Sequence, residues 1–469
     1  MFARYRSTAA LLACTLAAGC SKSNEPTHAA KPDAAPPAEN VAANHEAAAP
    51  QEPTPPREGL IKTEKGWYDP QTHTITPFEG AAPADAPASN ADWRAAEAGM
   101  LSDYVQLTDP AMFSRAGEAY FDPGMNWIIF QASPRAQMKE GEDAPYSMYV
   151  AKLQKETDDQ GAERIVGLDT PIRVSAAGSH NTCGFFNPAE PWRIIFGSTI
   201  IEPIAPDAAG YQRGGSRYAW AFPSEMEVCT RVVQEIFDTY RPSPKLTTEL
   251  DFLPSEYTAK PLFKHPGGYD AECAYSPDGR WIVFSSIDPE TKDADLWITN
   301  TTTFERVRIT NHPGYDGGPF FSPDGRRLCY RSDRQQNELL QVFVADLAFD
   351  SRGAITGISA EHQVTNNAHV NWAPYWHPSG EYMIYSTSEV GHDNYEIFAV
   401  QAPPSGIDTP TETLRAKRIT NAPGFDGLSV FSNDGAYMMW TSQRGGVYGD
   451  DAKPSSQVWV ARTGSNLAP

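Results

Sequence analysis

Cysteine, basic charge and long apolar runs are all scarce in this sequence, and each scarcity removes a class of function. Two of its six cysteines, Cys14 and Cys20, fall in the first twenty residues. The other four, Cys183, Cys229, Cys273 and Cys329, lack the paired spacing of a zinc site. In an oxidising compartment they are buried thiols or one or two disulfides, and spacing does not choose between these. Lys and Arg number 38 against 59 Asp and Glu, a formal charge of −21, which argues against nucleic acid as a partner and favours cationic ligands. After the first twenty residues no stretch could serve as a transmembrane helix. A Gly-x-Ser-x-Gly elbow is also missing. Its nearest approximation, Gly214-Gly215-Ser216-Arg217-Tyr218, lacks the final glycine, which excludes a serine hydrolase of the type that carries its nucleophile on a separate α/β domain.

The N-terminus reads as an export signal, with Arg4 and Arg6 before an apolar stretch from Ala9 to Ala18. Its ending, Leu16-Ala17-Ala18-Gly19-Cys20, resembles the lipobox of bacterial lipoproteins, with Ala17 in place of the usual leucine. That resemblance implies a diacylated Cys20 as the mature N-terminus, and Ser21 after it implies the outer membrane, the chain being held there through the lipid alone. Residues 21–65 are rich in Ala and Pro and too poor in large apolar side chains to offset the entropy of ordering, so a disordered tether is expected. Residues 66–100, with Trp67, Tyr68, Phe78 and Trp93, are expected to pack on the main domain.

What the sequence does contain is a repeat. Ser276-Pro277-Asp278-Gly279 precedes Trp281-Ile282-Val283-Phe284, and Ser322-Pro323-Asp324-Gly325 precedes Leu328-Cys329-Tyr330. Weaker copies begin at Asp122-Pro123-Gly124, Asn187-Pro188, His377-Pro378-Ser379-Gly380 and Ser432-Asn433-Asp434-Gly435. From Pro277 onward the anchors are 46, 55 and 55 residues apart, the length of a propeller blade, and the largest insertion lies between Ile200 and Phe263. The repeat at Pro323 shows four alternating segments, Gly318–Phe321, Arg327–Arg331, Leu340–Ala345 and one near Gln363-Val364-Thr365. The fold class expected is all-β: a six-bladed β-propeller of four-stranded antiparallel blades over residues 101–464. The last repeat stops at Gln457–Ala461, equivalent to a third strand, and its missing fourth strand has a counterpart in Tyr104–Thr108, which resembles Arg308-Ile309-Thr310 and Arg418-Ile419-Thr420. This N-terminal strand is expected to close the last blade and remove the bare edge.

These repeats resemble those of the TolB propeller family of exported bacterial proteins. The resemblance implies six blades and the docking of envelope proteins on the propeller. The sequence departs from TolB in having a lipidated tether where that protein has a mixed α/β domain.

The short turns between first and second strands leave function to the longer second-to-third-strand loops on the opposite face: 135–145, 200–215, 288–295, 333–337, 389–394 and 444–454. Seven residues before each anchor stand Ala116, Asn181, Asp270, Asp316, Asn371 and Asp426. These side chains either bond nearby backbone in turns or, as Asp270, Asp316, Asn371 and Asp426, ring the channel mouth as oxygen ligands for a cation such as Ca²⁺. Arg115, His180, Glu272, Tyr315, His369 and Trp372 are the candidates for ligand binding; all but Tyr315 break the repeat symmetry, and Tyr315 lies on the same loop-bearing face. His180 and His369 belong to the second and fifth repeats, too far apart to share a metal, and His265 and His312 precede Pro-Gly as turn residues. The expected function is that of a periplasm-facing docking scaffold for an envelope protein or peptide, of basic character. The alternative is a glycan sensor or metal-dependent polysaccharide lyase at the channel mouth.

Overall fold

The computed structural model describes residues 61–63, 66–69, 74–76, 92–139, 143–157, 159, 161–203, 210–214, 217–221, 223–239, 259–263, 268–407, 410–451 and 453–469. Expectations placed on Cys20, the tether up to residue 60 and His265 lie outside them. The chain divides into two units, Met1–Pro83 and Ala84–Pro469. In the first, Ile61–Thr63, Gly66–Asp69 and Thr74–Thr76 form a three-stranded antiparallel sheet.

The second unit is a six-bladed propeller. Its blades begin with the inner strands Phe113–Phe121, Asn181–Phe186, Asp270–Tyr275, Asp316–Phe321, Asn371–Trp376 and Asp426–Phe431, each leading outward through an antiparallel meander. The Pro-Asp-Gly phrases form the first turn of the meander. In blade three the Ser276 hydroxyl donates to Asp278 (2.6 Å) and accepts from the Trp281 amide (3.0 Å), while Gly279 takes φ +70°. Ser322 and Ser432 repeat the arrangement with Asp324 and Asp434. The weaker first copy substitutes Asp122, whose carboxylate accepts from the amides of Gly124, Asn126 and Trp127.

Two boundaries differ from those the repeat suggests. In blade four the third strand runs over Gln341–Phe349 and the outer strand over Ile355–Gln363, so Val364 and Thr365 follow that strand rather than form it. The insertion in blade two carries a separate hairpin, Gly210–Gly214 with Arg217–Ala221, before the third strand Glu227–Val232.

Ring closure follows the expected route. The closing strand is Leu101–Gln106, which starts three residues before the expected Tyr104–Thr108 and leaves Leu107 and Thr108 just beyond its end; it pairs antiparallel with Gln457–Thr463 and completes blade six. The chemistry of the resemblance lies in one hydroxyl: Thr108 Oγ1 accepts from the Val458 amide (2.9 Å), as Thr310, Thr365 and Thr420 accept from Leu296, Val342 and Ile397 (2.9, 2.8 and 2.8 Å). Thr108 then donates to Gln457 (2.6 Å). Ahead of this strand, helix α1 (Trp93–Glu97), capped by Asp92, buries Glu97 against Arg444 of blade six (3.2 Å).

Between blades, strand faces of Ile, Val, Phe, Met and Trp pack with almost no exposure, and apolar burial of this kind is the main stabilising term. On the axis the inner strands meet in an aromatic cluster: Tyr120 with Phe185, Phe320 and Tyr375 (centroids 5.3, 5.6 and 6.4 Å apart), and Phe320 with Tyr375 (4.9 Å).

Candidate functional site: the channel vestibule

Every inner strand is interrupted at the same place. Its pairing with the second strand slips between the residues six and three before the anchor: Gly117/Tyr120, Thr182/Phe185, Ala271/Ala274, Gly317/Phe320, Trp372/Tyr375 and Gly427/Val430. Each slip is a β-bulge, two residues opposing one, which kinks the strand and re-aims a side chain. The first extra residue has a left-handed backbone in all six blades: Glu118, Cys183, Glu272, Gly318, Ala373 and Leu428, with φ between +48° and +57°. Only one of the six is glycine. The others sit where an L-residue costs about 1–2 kcal/mol. Bulges at matching positions bring five side chains, two of them glutamates, and one glycine to one level of the channel, above the aromatic cluster.

These six residues line a cavity of about 20 Å³ together with Arg331, Tyr120, Phe320 and Tyr375, room for one water-sized occupant. Its charges are unevenly served. Glu272 accepts from the Tyr315 hydroxyl (2.6 Å), the Gly318 amide (2.7 Å) and Arg331 (3.1 Å), and Arg331 also donates to Tyr315 (2.8 Å). Gly318 is required here, because a Cβ would stand 2.0 Å from the Arg331 guanidinium. Glu118 accepts from the Cys183 thiol (3.0 Å) and, at 3.5 Å, from the Thr182 hydroxyl, neither of them cationic. Burial, set against that thiol and the more distant Arg331, raises the Glu118 carboxyl above its ordinary pKa. Burial and the nearby Glu118 carboxylate push the Cys183 thiol well above the usual cysteine value. A thiol held protonated is a poor nucleophile.

Of the residues singled out in the sequence, Glu272 and Tyr315 belong to this vestibule, and Trp372 flanks it, its ring 5.7 Å from the Arg331 guanidinium carbon. The other three stand elsewhere. Arg115 lies over Tyr146 (4.3 Å) and pairs with Asp143 (3.4 Å). The His180 amide donates to Thr199, and burial lowers the pKa of its ring. The carbonyl of His369 accepts from Gln341 and Asn371.

The four residues of the expected cation ring have protein partners in the structure. Asp270, Asp316 and Asp426 are turned into their own blades, toward Arg306 (2.9 Å), Arg334 (3.8 Å) and Arg444 (2.7 Å), while the Asn371 amide donates to Gln341 (3.0 Å). Burying a carboxylate requires a paired charge, and the guanidinium supplies it. Among the described residues no group of three or more His, Cys, Asp or Glu is placed to hold a metal ion. Glu118, Cys183 and Arg331 escaped the sequence reading, although the column five before the anchor contains the first two.

The molecule is thus a β-propeller with a strained polar vestibule over an aromatic floor. In structure it is distantly similar to TolB from Acinetobacter baumannii (14% identity, TM-score 0.39, 86% of this chain and 78% of that one). It is similar to the same degree to an oligogalacturonate lyase from Vibrio parahaemolyticus (10%, 0.40, 77% and 93%). No protein-family model matches the chain, and no curated protein matches it.

Proposed function

We propose that this protein acts by binding: a lipid-anchored propeller on the periplasmic side of the outer membrane that docks an envelope protein or peptide on its loop-bearing face. The observation that carries this reading is the contrast between the long, unequal second-to-third-strand loops of that face and the short, nearly uniform first-to-second-strand turns of the other. The second-to-third-strand loops of blades two, five and six expose Ile201 (65%), Val390 (37%), and Val447 and Tyr448 (54% and 40%) around the channel mouth. Trp192, Val232, Phe304, Phe349 and Ile407 are exposed on the opposite face as well, so what singles out the loop-bearing face is the length and diversity of its loops, with these apolar side chains available among them. The spread of Arg115, His180 and His369, each engaged by its own loop, fits a broad rim better than a catalytic pocket. The net charge of −21 favours a basic partner. A closed ring supports docking energetically, since a preformed surface costs little ordering entropy on association.

Site-specific photo-crosslinking in intact cells tests the proposal, with the probe at Tyr448 and at Ile201 and a control probe at Gly325 in a turn of the opposite face. A discrete protein adduct from the first two positions that is missing from the third is the expected result. Loss of specificity, with the same adducts from all three, overturns it.

A further inference from the structure

The vestibule is lined by two carboxyl groups and one guanidinium. Glu118, Glu272 and Arg331 face one cavity, and the guanidinium is committed to Glu272 and Tyr315. Glu118 receives a thiol and a distant hydroxyl. It stands at a strained bulge, φ +48°, and lines the cavity. Below it the rings of Tyr120, Phe320 and Tyr375 form the floor. A buried carboxylate and an aromatic floor attract the same thing by separate routes, charge pairing and the negative face of the ring.

Size and donor chemistry narrow the cation. A calcium ion takes six to eight oxygen ligands, whereas Glu272 is already engaged by Tyr315, Gly318 and Arg331, which leaves the cavity too few oxygens for it. A guanidinium is a broad planar fork, and the cavity is about 20 Å³. An ammonium head is water-sized, carries three donors, and leaves a slim stem to lie along aromatic or aliphatic walls such as Leu428 and Ala373. We propose that the vestibule is a receptor for one primary ammonium group on an unbranched stem, the lysine side chain of a partner, salt-bridged to Glu118. The source of that lysine rests on the docking reading above. The ammonium site itself does not.

The two are therefore tested apart. The full chain is titrated with n-butylammonium chloride by calorimetry at constant ionic strength, with n-butyltrimethylammonium and n-butylguanidinium as cations of the same stem that lack the compact donor head. Saturable binding is expected for butylammonium, at least tenfold tighter than for either control, and Glu118→Gln should weaken it at least tenfold. Leu428→Lys, which tethers an ammonium on the opposite wall, should fill the site from within and abolish binding while melting no lower than the wild type. This second variant decides the matter if Glu118→Gln does not fold. Equal binding of the three cations overturns the proposal, as does unchanged butylammonium affinity in a folded Glu118→Gln or Leu428→Lys protein. Failure of the rim crosslinks with intact butylammonium binding would refute docking and leave the ammonium site standing.

Discussion

Arg444 is the residue whose loss should do most damage for one substitution. Its side chain has no exposure, and its guanidinium reaches Glu97 of α1 (3.2 Å) and Asp426 of the inner strand (2.7 Å), both also buried. It is packed between aromatic rings, 4.3 Å from Trp93 and 4.7 Å from Trp440. Arg444→Met keeps much of the volume and removes the charge, leaving two carboxylates buried without a cation. Breaking a buried pair in this way costs about 3–5 kcal/mol. With an unfolding entropy of about 2 cal/mol/K per residue over roughly 390 residues, that is a fall of about 4–6 °C in Tm. Scanning calorimetry at pH 7 reads it directly. The pH dependence has a definite sign. Burial raises both carboxyl groups, Glu97 and Asp426, above their unfolded values even with Arg444 present. A raised acid lets stability fall as pH climbs from the unfolded pKa through the folded one, and removing the arginine steepens that fall. The gap between variant and wild type should be widest at pH 7 and should close toward pH 4. Glu97→Gln in the Arg444→Met background should recover part of the loss. A Tm within about 1 °C of wild type at pH 7 would refute the idea that α1 is clamped to blade six through this charge.

Three further outcomes are expected. Thr108→Ala removes the acceptor of the Val458 amide and the donor to Gln457, both buried, at a cost of about 1–3 kcal/mol; the equivalent Thr365→Ala in blade four should match it within about 0.5 kcal/mol by urea unfolding, and a neutral Thr108→Ala would mean that the N-terminal strand is not an equal member of its blade. Gly318→Ala places a methyl at φ +57° and 2.0 Å from Arg331, so strain and overpacking should total about 2–4 kcal/mol, and a loss under about 0.5 kcal/mol would contradict the bulge geometry. Burial pushes the Cys229 thiol up to about 12 and raises those of Cys183, Cys273 and Cys329 as well; the four should resist iodoacetamide at pH 8 in native protein and react in urea, read by peptide mass, and alkylation of Cys183 before unfolding would disprove its burial.

The blades were legible because a turn is local chemistry. Ser-Pro-Asp-Gly carries its fixed φ, its side-chain cap and its left-handed glycine within four residues, so six copies could be counted without any knowledge of packing. Closure was legible for the same reason, since Leu107-Thr108 performs the bond that Ile309-Thr310 and Ile419-Thr420 perform. The vestibule was not, because its geometry comes from a bulge. In a regular strand the residues seven and five before the anchor share a face, and Asp270 would then accompany Glu272 into the channel. The bulge breaks that alternation: Asp270 turns into its blade toward Arg306 while Glu272 turns to the axis. Reading the recurring Asp and Asn column therefore found a structural set. The column five before the anchor, which holds Glu118, Cys183, Glu272, Gly318, Ala373 and Leu428 and repeats only a glutamate in two of six blades, lines the candidate vestibule. Arg331 reaches it from a second strand, with no repeat signal to mark it.

The two columns also differ in what the fold gains from them. A buried Asp held by a guanidinium repeats in blades three, four and six, which is how a structural solution propagates through duplicated blades. The bulge is repeated as backbone, yet five of its six residues bear a side chain at positive φ where glycine would be less strained, and one of them, Glu118, has no cation in direct contact with its carboxyl group among the described residues. Backbone strain and a buried carboxyl group that receives only a thiol, a hydroxyl and a more distant guanidinium both oppose folding. Local rules broken together at one level of the channel mark a place where the sequence answers to something other than stability. A cationic group entering from the loop-bearing face would relieve the charge and leave the strain to position the carboxylate, so affinity would come from completing the vestibule rather than from reshaping it.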